Sequence, residues 1–346
     1  MKKLWVFFLL PAFLFSSDLE ERVSLLEKEM GQVSTETANQ TFGANFSPGN
    51  FQKGWIGLFL TGEVLYWHPK VGGTEYLYRF LQDGTTLIQQ GDAEDHTFNW
   101  GWGARAGIGL TFPGLGWELI CTGTWYSTDQ TNTKEARPPT ILISQKGAFF
   151  TLSDQARSSY DLSYDEVLLE LKKPYFLSRF LSTYTSIGAK RSWVDQEQRL
   201  KYQIQPSQLY QVKDICCFEG TGPRIGLGTQ WHLFYGLNFI AEIGASLLYG
   251  KYDVKHKEVL PPISEINLKG NTHLFSPQVD FSLGLGWDLY TSGYHFGVSL
   301  SYEALYLWRQ NEALMLEDAE MLHLKVARYA DDITFYGVTL KVKIEF

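Results

Sequence analysis

Taken in steps of two, residues 336–346 separate cleanly into an apolar and a polar set. Tyr336, Val338, Leu340, Val342, Ile344 and Phe346 share one parity; Gly337, Thr339, Lys341, Lys343 and Glu345 share the other. A β-strand sends alternate side chains to opposite faces, whereas a helix would repeat every three or four residues. The same period of two recurs upstream. Leu237, Phe239, Ala241, Ile243, Ala245, Leu247 and Tyr249 oppose Asn238, Glu242, Gly244 and Ser246. Phe281, Leu283, Leu285 and Trp287 oppose Asp280, Ser282, Gly284 and Asp288, and Phe296, Val298, Leu300 and Tyr302 oppose His295, Gly297, Ser299 and Glu303. Strands are predicted over 54–68, 97–112, 115–128, 158–172, 179–196, 217–235, 237–253, 272–290, 293–309 and 331–346.

The connections sort by length. Short turns fall at 112–116, 172–176, 234–236 and 290–293, with long segments at 69–96, 129–157, 197–216, 254–271 and 310–330. Alternating short and long connections are the layout of an outer-membrane barrel, with turns on the periplasmic side and loops outside. A soluble sandwich has no reason to sort them so. The expected fold class is all-β, a transmembrane antiparallel up-and-down β-barrel of ten strands over 54–346. A strand pair within 74–90 or 140–152 would make it twelve.

The first residues read differently. Lys2 and Lys3 precede an apolar run, Leu4–Phe15, too short to span a bilayer as a helix. With Ser16 and Ser17 behind it, this is the pattern of a secretory signal peptide over 1–17. Its removal takes two lysines and moves the net charge from −8 to −10. In 18–31, Leu19, Val23, Leu26 and Met30 form a heptad-type seam of about two heptads. It suits a short periplasmic helix able to bring two or three chains into a homo-oligomer, a helix on the barrel rim, or a frayed tail. A polar linker follows to residue 53.

Composition narrows the class further. Eleven Trp, 19 Tyr and 23 Phe in 346 residues suit aromatic girdles at two membrane interfaces. Mean hydropathy slightly below zero is too polar for a helical membrane protein, and the acidic balance argues against nucleic acid, which favours a basic face.

Several blocks resemble a known family in order as well as pattern. They are GLFLTGEVLYWHPKVGGTEY, FNWGWGARAGIGLTFPGLGWELICTGTWY, the stretch Tyr175–Gln196, and GTGPRIGLGTQWHLFYGLNFIAEIGASLLYGKYDV. Leu65-Tyr66-Trp67, Arg105–Gly109 and Ser246–Gly250 are the most telling. Together they resemble the pore-forming, major-outer-membrane-protein-like family of legionellae and chlamydia-like bacteria, over most of 55–346. The resemblance implies a bacterial outer-membrane channel for ions and small solutes, without a catalytic site or cofactor. A strand ending on Phe346, with Ile344 and Val342 before it, resembles the signal that barrel-assembly machinery recognises. Outer-membrane lipid is the expected surroundings.

If the apolar faces meet lipid, the polar register lines a lumen. It collects Glu63, Arg105, Glu118, Lys190, Arg224, Glu242, Asp280, Asp288, Glu303, Lys341 and Lys343. Facing lipid near the midplane, each Arg or Lys would cost about 2–4 kcal/mol. Two readings are open: a constriction that selects ions, or cross-barrel pairing that closes a narrow barrel, leaving a plugged structural or adhesive body whose outer loops bind other surfaces. Parity is ambiguous over 158–172 and at Lys190-Arg191, where a bulge would shift the register. An outer-membrane hydrolase would need an Asp–His or Ser–His pair at the outer rim. His68, His96, His256, His273 and His323 show no spacing that joins them, and no paired metal spacing, so neither enzyme activity nor a metal is expected. Cys121 sits on a strand, and Cys216-Cys217 at a loop-to-strand junction. Neighbouring cysteines rarely bridge each other, which leaves cross-links to other chains or free thiols.

Deleting Phe346, or Phe346→Ala, is expected to lower the yield of assembled barrel without blocking export. Heat-modifiable gel migration measures the assembled fraction, and an unchanged fraction would remove the terminal aromatic from the assembly signal.

Overall fold

In the computed structural model, residues 56–346 are described, apart from 84–85, 113–115, 138–139, 148–150, 179, 206–207, 262–263, 291–293 and 318–324. The signal-peptide, helix and linker expectations for 1–53 lie outside the described residues, as does His323. Fourteen strands follow in order: β1 (Gly57–Val71), β2 (Leu77–Asp83), β3 (Thr86–Glu94), β4 (Gly101–Phe112), β5 (Trp117–Glu135), β6 (Thr140–Ser144), β7 (Leu152–Ser153), β8 (Gln155–Ser178), β9 (Leu181–Gln205), β10 (Gln208–His232), β11 (Leu237–Leu260), β12 (Ser264–Tyr290), β13 (His295–Glu317) and β14 (Lys325–Glu345).

Ten of these close a barrel. β1, β4, β5 and β8 to β14 pair antiparallel in turn, and β14 returns to β1. The remaining four form a separate sheet, β3-β2-β6-β7. So 74–90 and 140–152 do contain strands, but these do not raise the barrel to twelve.

The apolar register faces lipid. On β14 it runs from Tyr336 to Phe346, about 33 Å along the strand at ~3.3 Å per residue. A tilt of about 40° reduces this to about 25 Å, the height of an outer-membrane apolar band. Aromatic side chains mark both edges. Tyr66, Trp100 and Trp102 stack at one edge, with ring centroids 5.2 and 4.5 Å apart, and His68 leans on Tyr336 at 5.1 Å. At the short-turn edge Trp231 meets Phe239 at 5.3 Å and Tyr294 meets Phe346 at 6.2 Å.

Spanning such a band takes about 9–11 residues, yet β8 to β13 have 23 to 27. The excess lies outside the membrane, in segments expected to be loops (129–157, 197–216, 254–271, 310–330). They were hidden by an inversion of phase. On β11, even residues point inward throughout. Within the band all but Ile240 are polar or glycine (Asn238, Glu242, Gly244, Ser246) and their odd neighbours apolar; beyond it Leu248, Tyr252 and Val254 are buried inside while Lys251, Lys255 and Lys257 face out. Outside lipid, water is the exterior solvent, so burial favours apolar side chains inward. The alternation continues, but its sense reverses, and the reversal reads as a break.

The turn expected at 172–176 is also strand: Pro174 pairs with Tyr184, and β8 runs on to Ser178. Register is continuous past Lys190 and Arg191, which face Leu168 and Val167, so no bulge interrupts it there. Cys216 and Cys217 lie within β10, not at its start, on opposite faces, and all three cysteines are free thiols.

Phe335, one residue from the lipid-facing series, is fully buried in the outer interior. Phe335→Ala is expected to cost about 3–5 kcal/mol, as large-to-small core changes do. Val338→Ala, on the lipid face of the same strand, should cost well under half as much. Urea unfolding of the refolded protein in lipid vesicles measures both, and equal losses would contradict the inversion.

Candidate functional site

The lumen is built in layers. Within the membrane band the inward residues of β1, β4, β13 and β14 meet at the barrel seam. Glu63 pairs in register with Lys341 on one side and Arg105 on the other. Arg105 Nη1 donates to Glu63 at 2.6 Å, the same guanidinium forks onto both oxygens of Glu303 at 3.3 Å, and Nε donates to Thr124 at 3.0 Å. Lys341 Nζ completes the group, 3.3 Å from Glu63. A planar guanidinium suits this position because its fork matches a carboxylate.

A second group lies across the lumen. Arg224 Nε donates to Glu170 at 3.0 Å and its terminal nitrogens clamp Asp280, one at 2.7 Å. Lys190, almost wholly buried, pairs with Glu166 at 2.6 Å, and Tyr164 also donates to that carboxylate. Near the short-turn end His295 bridges Asp288 at 3.0 Å and Glu345 at 3.2 Å, with Lys343 3.3 Å from Glu345.

Two cavities of about 200 and 110 Å³ run between these groups. Both are lined by Glu63, Arg105, Glu242, Ser282, Glu303 and Lys341. Ten of the eleven residues expected to line the lumen border one or both. Glu118 borders neither; it is half-buried on the inward register of β5 at the short-turn end, opposite Thr111 and Lys172. Glu166, Glu170 and Lys172 also line the cavities, and the sequence reading missed them; His295, which it set on the polar register but did not assign to the lumen, lines one as well. On β8 both registers are charged, because Asp161 and Asp165 face outward while Glu166 and Glu170 face inward.

The inner cavity ends against Trp67, Leu168 and Leu305, the floor of an apolar layer. Trp67, Tyr126 and Tyr164 each pack against Phe335, with ring centroids 5.9, 5.5 and 5.2 Å apart. The Arg105 guanidinium lies beneath Trp67, 5.6 Å from its ring, joining the charged layer to the apolar one.

Further out, a second polar layer contains a charged cluster. His256 uses both ring nitrogens, one against Asp214 and the other 2.6 Å from Glu258, which also accepts from Tyr210 at 2.6 Å. Lys146, from the connection between β6 and β7, reaches Gln198 at 2.6 Å and lies 3.9 Å from Asp214. Burial opposes a charge on His256, but hydrogen bonds to Asp214 and Glu258 outweigh it and raise its pKa to about 9. With both nitrogens donating, the ring has no lone pair for a proton. His96 contacts Ser158 at 2.8 Å, and burial lowers its pKa to about 4. Asp–His and Ser–His contacts therefore do exist, although both histidines are buried. Burial pushes the thiols of Cys216 and Cys217 up to about 12 and 11, so neither is a ready thiolate.

Above this cluster the small sheet closes the outer end. Tyr76, Leu77 and Leu142 pack with Tyr202, Tyr210 and Leu260 in a second apolar layer, and Tyr202 donates to the Tyr76 carbonyl.

A folded pKa above the unfolded value near 6.5 makes the His256 contribution complete below that value and lost as pH rises through about 9. Hydrogen exchange of amides around 198–214 and 256–258 is therefore expected to quicken between pH 6.5 and 9, after correction for intrinsic rates. In His256→Gln that extra dependence should vanish, and its persistence would assign it elsewhere.

A search of curated protein sequences finds no match. Among solved structures the chain is similar to the outer membrane protease OmpT from Escherichia coli, at 11% identity over 84% of this chain and 96% of that one, with a TM-score of 0.43. The translocator domain of the autotransporter NalP from Neisseria meningitidis is similar at 9% identity, over 97% and 99% of the two chains, with a TM-score of 0.33. A mutant of the monoaromatic hydrocarbon channel TodX gives 10% identity over 90% and 96%, at 0.32. These low scores carry no functional argument. Residues 51–346 match the family described as Legionella pneumophila major outer membrane protein precursor. With that match spanning the whole barrel, the chain belongs to the Legionella major outer membrane protein family and is a β-barrel of the bacterial outer membrane.

Proposed function

We propose that this barrel is a narrow, porin-like channel for small ions and solutes, closed in the conformation described. The observation that carries the reading is the pair of charged cavities inside the membrane band. Taking charges out of water costs several kcal/mol each even when they are paired. A barrel that needed only to be filled could use apolar side chains instead. Seven carboxylates and six cations, besides His295, line the two cavities. So near a balance predicts weak selectivity, with a slight preference for cations. The apolar layer at Trp67, Tyr126 and Phe335 is the barrier to passage. Catalysis forms no part of this reading, because the His256 ring is held on both sides by carboxylates.

A second reading is the plugged barrel, a structural or adhesive body that presents its outer extension. It is favoured by the two apolar layers, which fill the interior beyond the membrane band.

Planar bilayers distinguish the two. Wild-type protein is expected to give small, stepwise conductances with a weak cation preference that fades as salt rises and charges are screened. Glu242→Gln with Asp288→Asn should move the reversal potential toward anions, and Phe335→Ala should lengthen or enlarge the open events. Silence from folded wild type and folded Phe335→Ala alike would sink the channel in favour of the plugged barrel.

A further inference from the structure

Beyond the outer aromatic edge the exposed face of the barrel is divided by charge. On β5, β8 and β9 it carries a row of carboxylates, Asp129 opposite Asp161 and Asp161 opposite Glu197, with Arg199 paired to the last two. Across β10, β11 and β12 it is basic. Lys213 stands opposite Lys257, Lys255 opposite Lys269, and Lys251 opposite His273. Like charges directly opposite one another destabilise a sheet, so the two rows of facing lysines work against folding unless something else neutralises them.

Part of this charge is met within the chain. Lys257 pairs with Glu265 at 2.8 Å, Lys213 with Glu197 at 2.6 Å, and Lys251 with Asp253 at 2.8 Å. Lys255 and Lys269 make no ion pair among the described residues, and both are exposed. Asn271, also exposed, lies on the row between them and His273. A shallow hollow is lined by Asp253, Val254, Lys255, Lys269, Gly270 and Asn271, and its one carboxylate, Asp253, is paired with Lys251.

The height of this patch identifies its occupant. Tyr249 and Phe275 mark the edge of the apolar band, with ring centroids 5.1 Å apart. Lys251 and His273 are one outward-facing position further out, and the His273 ring stacks on Tyr249 at 6.1 Å. Lys255 and Lys269 follow four residues later, about 13 Å along the strand or about 10 Å above the first row at a ~40° tilt. This is the level of lipid headgroups and the groups attached to them.

We propose that the outer face of β11 and β12, at Lys251, Lys255, Lys269 and His273, binds the phosphates of a phosphorylated lipid in the outer leaflet. The lysines supply charge and Asn271 an amide donor, while the acyl chains lie against Phe275 and Phe281 below. The site rests on the outer-membrane placement and is independent of whether the lumen conducts.

The test uses full-length refolded protein in detergent micelles, with folding confirmed by heat-modifiable migration. The probes are a diphosphorylated disaccharide lipid, its dephosphorylated form and glycerol phosphate, with bound lipid counted by native mass spectrometry. The diphosphorylated lipid is expected to bind more tightly than the dephosphorylated one, and less tightly as salt rises. Lys255→Gln with Lys269→Gln should weaken it about 25-fold, at about fivefold per surface lysine. Lys201→Gln, exposed on β9, should leave it unchanged. Equal binding by the double variant and wild type would overturn the site. Competition by glycerol phosphate at the same concentration as the lipid would make it a free-phosphate site and overturn the lipid assignment. Loss of an oligomer in the double variant, with lipid binding intact, would give the face to a second copy of the chain and overturn the proposal.

Discussion

Inside hydrocarbon no water completes the hydrogen bonds of an exposed strand edge, so every backbone N–H and C=O in the band must find a partner within the chain. A sheet meets this condition only by closing on itself. The closing pair is β1 with β14, in unbroken register from Phe59 opposite Glu345 to Val71 opposite Ile333. That seam also sets Glu63 beside Lys341 and, through β4, beside Arg105. Backbone closure and the principal charge group of the lumen are therefore consequences of one register. A shift of a single residue would turn Glu63 and Lys341 toward lipid and Val64 and Leu340 inward.

The exterior solvent then dictates the layers of the interior. Where the outside is lipid, apolar side chains gain nothing by turning inward, and charged ones have only the lumen and each other. Where the outside is water, the ordinary rule returns and the interior fills with Trp67, Phe335, Phe218 and Tyr252. Charge thus collects in the membrane-spanning half and apolar packing in the projecting half. The join falls where Arg105 lies under Trp67. The polar layer further out is the exception, and it is stable because nearly every group in it is paired: Asp214 and Glu258 with His256, and Lys146 with Gln198.

Much of this was legible in the chain. Period-two alternation located all ten barrel strands, because lipid on one side and a polar lumen on the other impose opposite chemistry on neighbouring residues. Ten of the thirteen charges that line the two cavities, besides His295, were legible for the same reason, and Glu166, Glu170 and Lys172 were not. The strand ends were not legible, because the inversion of phase near Leu248 and Phe335 leaves the alternation intact but reverses its meaning. β8 was ambiguous because both of its registers carry carboxylates, and sequence alone does not say where lipid stops.

What the sequence determined by itself was the strand class, the places of the ten barrel strands and which register is apolar, all of which depend only on near neighbours along the chain. Tertiary structure alone decided which charges pair across the lumen, and that β2, β3, β6 and β7 close the outer end as a separate sheet and leave the barrel at ten strands. Arg224 meets Asp280 and Glu170, and Phe335 meets Trp67 and Tyr164, only because closure brings strands far apart in sequence around one axis. Spacing along a chain carries no record of such distances.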